Sequence, residues 1–235
     1  MKWGDTTQLL SESAGTVRNW LISLVEDENE KDRQLVELPR TCEDGKTHSN
    51  LELSTLRDFL VDRGKSSAFI SSLISKMQEL IEIANWYLRS REKISERETV
   101  SHIVVPLLKT LGWTAQKMAV EWDKIDIGLF NELPRDDSRL VCAIEAKQMS
   151  ASCLTATRQV FKYATKDNRF NCTRAIVTDG IRYGIFIRDH QGDFPLRPSA
   201  YLNLTRLKEN YPILECDGAK EAIYYMTPEW SMQNR

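Results

Sequence analysis

The sequence predicts an α/β fold with an N-terminal helical region, and three observations lead there. Residues 66–91 carry Phe69, Ile70, Leu73, Met77, Leu80, Ile81, Ala84 and Leu88 at the three-and-four spacing of one helix face. Two short apolar runs, 124–130 and 141–147, read as buried strands interrupted by single charges. A helix-length segment over 153–164 then separates the second run from two further strands within 175–186.

The elements follow in order. Residues 6–25 have amphipathic helical spacing through Leu9, Leu10, Val17, Trp20, Leu21 and Leu24, until the charged stretch 26–32 breaks it. Residues 39–50, with Pro39 and Gly45, read as a loop. Ser54 starts a short helix that Gly64 stops, and the long helix of 66–91 follows. Ser95 with Glu98 three residues on is a capping box, so a new helix starts there. Beyond the strands, Pro195 and Pro198 mark a loop, two helices are expected near 202–209 and 219–226, and Trp230 caps the core. The chain divides near residue 94, into a helical accessory region over 1–93 and a second unit over 94–235.

The chemistry gathers in the strands. Side chains alternate across a strand, so Glu145 and Lys147 project from one face at the end of the run Val141-Cys142-Ala143-Ile144-Glu145-Ala146-Lys147. Two charges at the tip of a buried strand need each other, hydrogen bonds or a metal ion. Asp126, alone in the apolar run Lys124-Ile125-Asp126-Ile127-Gly128-Leu129-Phe130, is the natural third member. Two carboxylates suit Mg²⁺, which takes hard oxygen ligands and keeps several waters. A lysine beside them can orient a metal-activated water or help to deprotonate it. The plain alternative is a charged pair on a solvated strand edge.

Asp126, Glu145 and Lys147 together resemble the site of the PD-(D/E)XK nuclease superfamily. The flanks resemble, more narrowly, the N-terminal nuclease domain of type I restriction enzyme motor subunits. Upstream, Ser95 to Trp113 is similar to the helix before the catalytic sheet, with an early acid, an apolar-Pro-Leu-Leu segment around Pro106 and a Leu111-Gly112-Trp113 ending. Downstream, Gln159 and Tyr163 match a Gln-x-x-x-Tyr helix, and Thr178-Asp179-Gly180 matches the turn of a closing hairpin. The resemblance covers residues 94–190 and implies a restriction-endonuclease-like core, a mixed central sheet flanked by helices, making 94–235 a PD-(D/E)XK nuclease-like domain. It implies Mg²⁺-dependent hydrolysis of DNA phosphodiesters in restriction or defence against foreign DNA, with Mn²⁺ as a substitute and RNA not excluded. Asp126, Glu145 and the Ala146 carbonyl would hold metal, and Glu96, ten residues before Pro106, would complete a second metal position or hold a metal-bound water. Lys147 would act on the water, as general base or as a fixed charge, with Gln159 orienting either. Arg158, Lys162, Tyr163 and Lys166 would meet the nucleic acid. Each has a bland counterpart: Glu96 favours the positive helix end, Tyr163 is core packing, and each base is a solvated helix face.

Charge is nearly balanced at −2 but unevenly spread. Residues 1–60 hold twelve acids against seven bases, whereas 147–190 hold eight bases against three acids. A basic surface around an acidic metal site suits a phosphate backbone. The acidic N-terminal region is a poor DNA-binding module, and core packing, oligomerisation or a protein partner are its candidate roles. The five cysteines, Cys42, Cys142, Cys153, Cys172 and Cys216, show no Cys-x-x-Cys spacing and read as reduced thiols. No run of about 18 apolar residues and no leader-like apolar stretch near Met1 is found, so a cytoplasmic protein without membrane contact is expected. No Gly-x-x-x-x-Gly-Lys-Ser/Thr loop is present, so the ATP motor of the resembled subunits is missing from the sequence given. His48, His102 and His190 have no zinc-protease spacing. Cutting both strands needs two sites, which makes a homodimer the expected assembly. The rival readings are a catalytically silent or partner-activated nucleic-acid-binding or assembly subunit of a defence complex, and a protein-interaction factor working through the N-terminal region.

Overall fold

The computed structural model describes residues 50–90 and 94–231. The expected helix over 6–25 and nearly all of the expected loop over 39–50 lie outside them.

Two helices come first. Helix α1 (Leu53–Asp62) buries Leu56 and Leu60 and closes before Gly64, whose φ of +74° is the left-handed conformation that glycine enters without strain. Helix α2 (Ser67–Ser90) buries Ile70, Leu73, Met77, Leu80 and Ala84, the face the spacing predicts, but Leu88 at its far end is turned to solvent. The next helix is not uniform. Helix α3 (Glu96–Thr99) opens with the Ser95–Glu98 capping box, a π segment follows over Val100–Val104, and helix α4 (Val105–Thr110) completes the run. Pro106 explains the interruption, because proline lacks an N–H and its ring crowds the carbonyl four residues back; widening the turn relieves both.

The sheet is mixed and eight-stranded, in the order β1-β2-β3-β4-β5-β6-β8-β7. Its strands are β1 (Met118–Trp122), β2 (Ile125–Phe130), β3 (Leu140–Ala146), β4 (Arg174–Thr178), β5 (Arg182–Ile187), β6 (Ala200–Asn203), β7 (Asn210–Tyr211) and β8 (Cys216–Asp217). Strands β1, β2 and β3 form an antiparallel meander, β3 and β4 run parallel, and β4, β5 and β6 are antiparallel again. A parallel pair needs a crossover. Here a 3-10 turn (Cys153–Ala156) and helix α5 (Thr157–Ala164) supply it. Helix α6 (Ala219–Tyr225) is the last helix among the described residues.

Alternation along β3 sorts its residues between two cores. Cys142, Ile144 and Ala146 join α1, α2, the α3–α4 run and α6 on one face, whereas Ala143 joins Val160 and Ala164 of α5 on the other. The apolar residues of α1 and α2 thus lie in one core with the sheet. Among the described residues no helix is long and apolar enough to cross a membrane.

The helix expected near 202–209 is a correction. Tyr201-Leu202-Asn203 continue β6 beside β5, and 204–209 turn back toward β7. Leu202 lies in the α1–α2 core while Tyr201 lies in the opposite one, a period of two that a strand satisfies and a helix does not.

Arg174 shows why composition misleads about charge. It is 2% exposed, and its guanidinium donates to the carbonyls of Tyr225 and Thr227 at 2.8 Å each, between the rings of Trp113 and Trp230. The Trp113 indole donates to the Met226 carbonyl at 2.7 Å, so the Leu-Gly-Trp ending serves to fasten the C-terminal segment. Arg174→Ala strands two buried carbonyls and opens a cavity, and is expected to cost about 3 kcal/mol or more in chemical denaturation.

Candidate active site

Strand pairing brings the predicted residues together. Ile127 lies opposite Ile144 in the β2–β3 register, which sets Asp126 beside the end of β3. The Asp126 carboxylate accepts the Ala146 N–H at 2.7 Å, tying the two strands at the level of the Glu-x-Lys triplet. Glu145 is 2% exposed and Lys147 is half-buried next to it, with Nζ 3.2 Å from Glu145 Oε1. Gln159, in the first turns of α5, donates its amide to the same oxygen. From the other face of the sheet Glu96, at the start of α3, places Oε1 3.3 Å from Lys147 Nζ. All five predicted catalytic residues therefore meet in one constellation.

The electrostatics follow from burial. Glu145 is pushed up to about 7, first by loss of solvent and then by the neighbouring Asp126, with Lys147 pulling the other way. Asp126 is raised for the same leading reason, opposed by the Ala146 hydrogen bond. Burial alone would depress Lys147, but the Glu145 and Glu96 carboxylates outweigh it and its value is raised, so it is an ammonium near neutrality.

One polar atom of the site has no partner among the described residues. Glu145 Oε2 is buried and makes no hydrogen bond, while Oε1 holds both Lys147 and Gln159. Among the described residues no three acids, histidines or cysteines form a ready-made metal cage. Mg²⁺ seldom uses one; it is held by one or two carboxylates, with water and phosphate completing its shell. An orphaned carboxylate oxygen beside a second carboxylate fits that chemistry.

The four residues expected to meet nucleic acid divide. Arg158 and Lys162 lie on the exposed face of α5. Lys166 instead pairs with Asp123 in the β1–β2 turn, and Tyr163 packs against the α5-side core. The sequence also passed over Glu121. It lies near the end of β1, bears on the Asp126 charge and pairs with Arg97 at 3.3 Å, joining α3 to the β1–β2 hairpin across the site. Its signal is faint: φ at Glu121 is +58°, a backbone twist that no residue pattern announces. Comparison with family models, curated proteins and solved structures finds no match to this chain.

A raised carboxylate destabilises its own fold as pH rises. Between the ordinary 4.5 and the raised value of about 7 the folded chain holds a proton on Glu145 that the unfolded chain has lost. Stability therefore falls across that window and levels off above it. Glu145→Gln removes this contribution. Urea denaturation should show the wild type losing on the order of 3 kcal/mol relative to the variant between about pH 5 and about pH 8. Equal slopes for the two proteins would show that Glu145 is ionised throughout.

Proposed function

We propose that this chain is a Mg²⁺-dependent endonuclease acting on DNA phosphodiesters, a PD-(D/E)XK enzyme with a restriction-endonuclease-like core, serving restriction or defence against foreign DNA. The observation that carries the reading is the convergence of Asp126, Glu145 and Lys147 where the start of β2 meets the end of β3, with one buried Glu145 oxygen unsatisfied. Glu96 and Gln159, from two different helices, complete the group. The mixed sheet with helices on both faces is the architecture that the resemblance implies.

Asp126 and Glu145, with the Ala146 carbonyl, would hold the cation, and Glu96 would hold a second ion or a coordinated water. Bound there, the cation supplies charge to polarise the scissile phosphate and to acidify a coordinated water. The rest falls to side chains of this chain. Lys147 is an ammonium between two carboxylates, so it serves as a fixed positive charge and a donor rather than as a resting base. Negative charge builds on the phosphate oxygens during hydrolysis, and a preorganised ammonium stabilises it most where water is excluded. Gln159 limits the rotation of Glu145 by holding Oε1, which leaves Oε2 as the ligand atom.

A partner-activated form of the same activity is the second reading. It is favoured by the engagement of Glu145 Oε1 with both Lys147 and Gln159 and by its protonation near neutral pH. Contact with DNA, a second copy or a protein partner would then have to shift that balance.

The test is incubation of wild type, Asp126→Ala and Lys147→Ala with supercoiled, linear and single-stranded DNA, and with RNA, in Mg²⁺, Mn²⁺ or EDTA. Metal-dependent cutting by the wild type should fall at least about a hundredfold in both variants. Cutting that persists in both would sink the reading. In calorimetric titration, Mn²⁺ affinity should weaken by about tenfold for each unit that pH drops below the Glu145 value, because the ligand must lose its proton. A pH-independent affinity would point to other ligands.

A further inference from the structure

The two ends of the site come from opposite faces of the sheet. Lys147 follows β3, while Glu96 begins a helix on the α1–α2 side, and their atoms stand 3.3 Å apart. An ion pair in which Glu96 is about half exposed contributes too little to fix a helix in place. Something else must set that spacing.

The β4–β5 turn touches both the lysine and the helix that carries Glu96. On the strand side, the Lys147 N–H donates to the Thr178 carbonyl at 2.7 Å, and the Arg182 guanidinium donates to the Ala151 carbonyl at 3.1 Å, anchoring the loop beyond the lysine. On the helix side, Gly180 is packed so closely that a Cβ there would come within 2.8 Å of Thr99 Cγ2 and 3.4 Å of Ile103 Cδ1. Thr99 is fully buried three residues after Glu96, and its hydroxyl donates to the Ser95 carbonyl at 3.0 Å, so pushing Thr99 moves the helix start.

The turn is itself stiff. Asp179 is fully buried and accepts the N–H groups of Ile181 at 3.1 Å and Arg182 at 2.8 Å, together with the Arg182 guanidinium. Thr178 Oγ1 accepts the Gly180 N–H at 2.9 Å, and the buried Tyr183 hydroxyl donates to the Gly180 carbonyl at 3.1 Å. Gly180 holds φ of +85°, which an L side chain adopts only with strain.

We propose that the turn Thr178-Asp179-Gly180-Ile181-Arg182 is a positioning device that seats the helix bearing Glu96 against the strand end bearing Lys147, with the bare α-carbon of Gly180 as its bearing surface. Gly180 touches no reacting atom; it acts through Thr99 on Glu96. The proposal rests on the nuclease reading for its consequence in catalysis, but the seating itself is a property of the fold.

The experiment uses the full chain as wild type, Gly180→Ala, Thr99→Ser and the double variant. Thr99→Ser removes the methyl that the new Cβ would strike and keeps the hydroxyl. Hydrogen exchange over residues 96–110, thermal unfolding, and cleavage at saturating and at limiting DNA are measured for each. Gly180→Ala is expected to speed exchange in 96–110 and to lower the saturated cleavage rate by about ten- to a hundredfold, with little change in the DNA concentration at half rate. Adding Thr99→Ser should restore slow exchange and most of the rate while leaving the unfolding temperature near that of the single variant, since the backbone strain at 180 remains. Should Gly180→Ala not fold, the double variant compared with Thr99→Ser carries the test, and comparable rates are expected. A folded double variant that stays slow while Thr99→Ser is active overturns the proposal, as does faster exchange in 96–110 with an unchanged rate. A wild type inert in both Mg²⁺ and Mn²⁺ counts against the nuclease reading alone. The exchange data then still decide the seating, which fails if the double variant exchanges as fast as Gly180→Ala.

Discussion

A carboxylate kept out of water at the end of a strand governs the arrangement of this molecule. Glu145 is nearly fully buried, and an ionised carboxylate in such a place is costly unless donors meet it. Two donors do, the Lys147 ammonium and the Gln159 amide, and both go to the same oxygen. This lopsided satisfaction leaves Oε2 without a partner among the described residues. Asp179 shows the contrast: it is as deeply buried but receives two backbone N–H groups and a guanidinium over its two oxygens. Asp179 is saturated in that way; Glu145 is not.

Topology and the candidate site are linked through the parallel pair of β3 and β4. Because β3 and β4 run the same way, the chain must cross back over a face of the sheet before β4 can begin. Helix α5 makes that crossing on the face to which Glu145 and Lys147 point, and Val160 and Ala164 press it against the strands. Gln159 reaches Glu145 as a consequence. The turn after β4 then arrives beside the end of β3, where the Thr178 carbonyl takes the Lys147 N–H. A meander of antiparallel strands alone would bring neither element to the tip of β3.

The site was legible because its signals are local. A strand of period two places residues 145 and 147 on one face whatever the tertiary context, and a capping box declares the helix start that carries Glu96. Four-residue spacing put Gln159 on a defined flank of α5. Other features were illegible for an equally physical reason. Residues 200–203 have too short a run to distinguish strand from helix until β5 and β8 supply partners on either side. Glu121 enters the site through a hairpin twist and Gly180 through packing against Thr99, 81 residues earlier (180 − 99), and neither contact leaves a pattern along the chain. The π segment is intermediate: Pro106 announces a disturbance, but not that the helix absorbs it by widening.

The distribution of charge constrains where a polyanion can lie. Of the eight bases between 147 and 190, Arg169 and Arg174 are buried and Arg182 is largely so, each held by acids or carbonyls of the fold. Arg169 binds Asp123 and Asp137 and the Tyr163 carbonyl, which locks the β1–β2 hairpin to the end of α5. Lys166 adds to the same lock, and Lys147 belongs to the site itself. Arginine suits these interior roles because its planar fork satisfies several acceptors at once. The excess positive charge read from composition is therefore largely internal wiring. Near the site, Arg158 and Lys162 lie on the exposed face of α5, and Arg97, one residue beyond Glu96, pairs with Glu121 while its side chain stays 88% exposed. These lie on the two helices that contribute Gln159 and Glu96. On the nuclease reading proposed above, a phosphate backbone would meet exposed bases on both of these helices, the ones whose Gln159 and Glu96 reach Glu145 and Lys147.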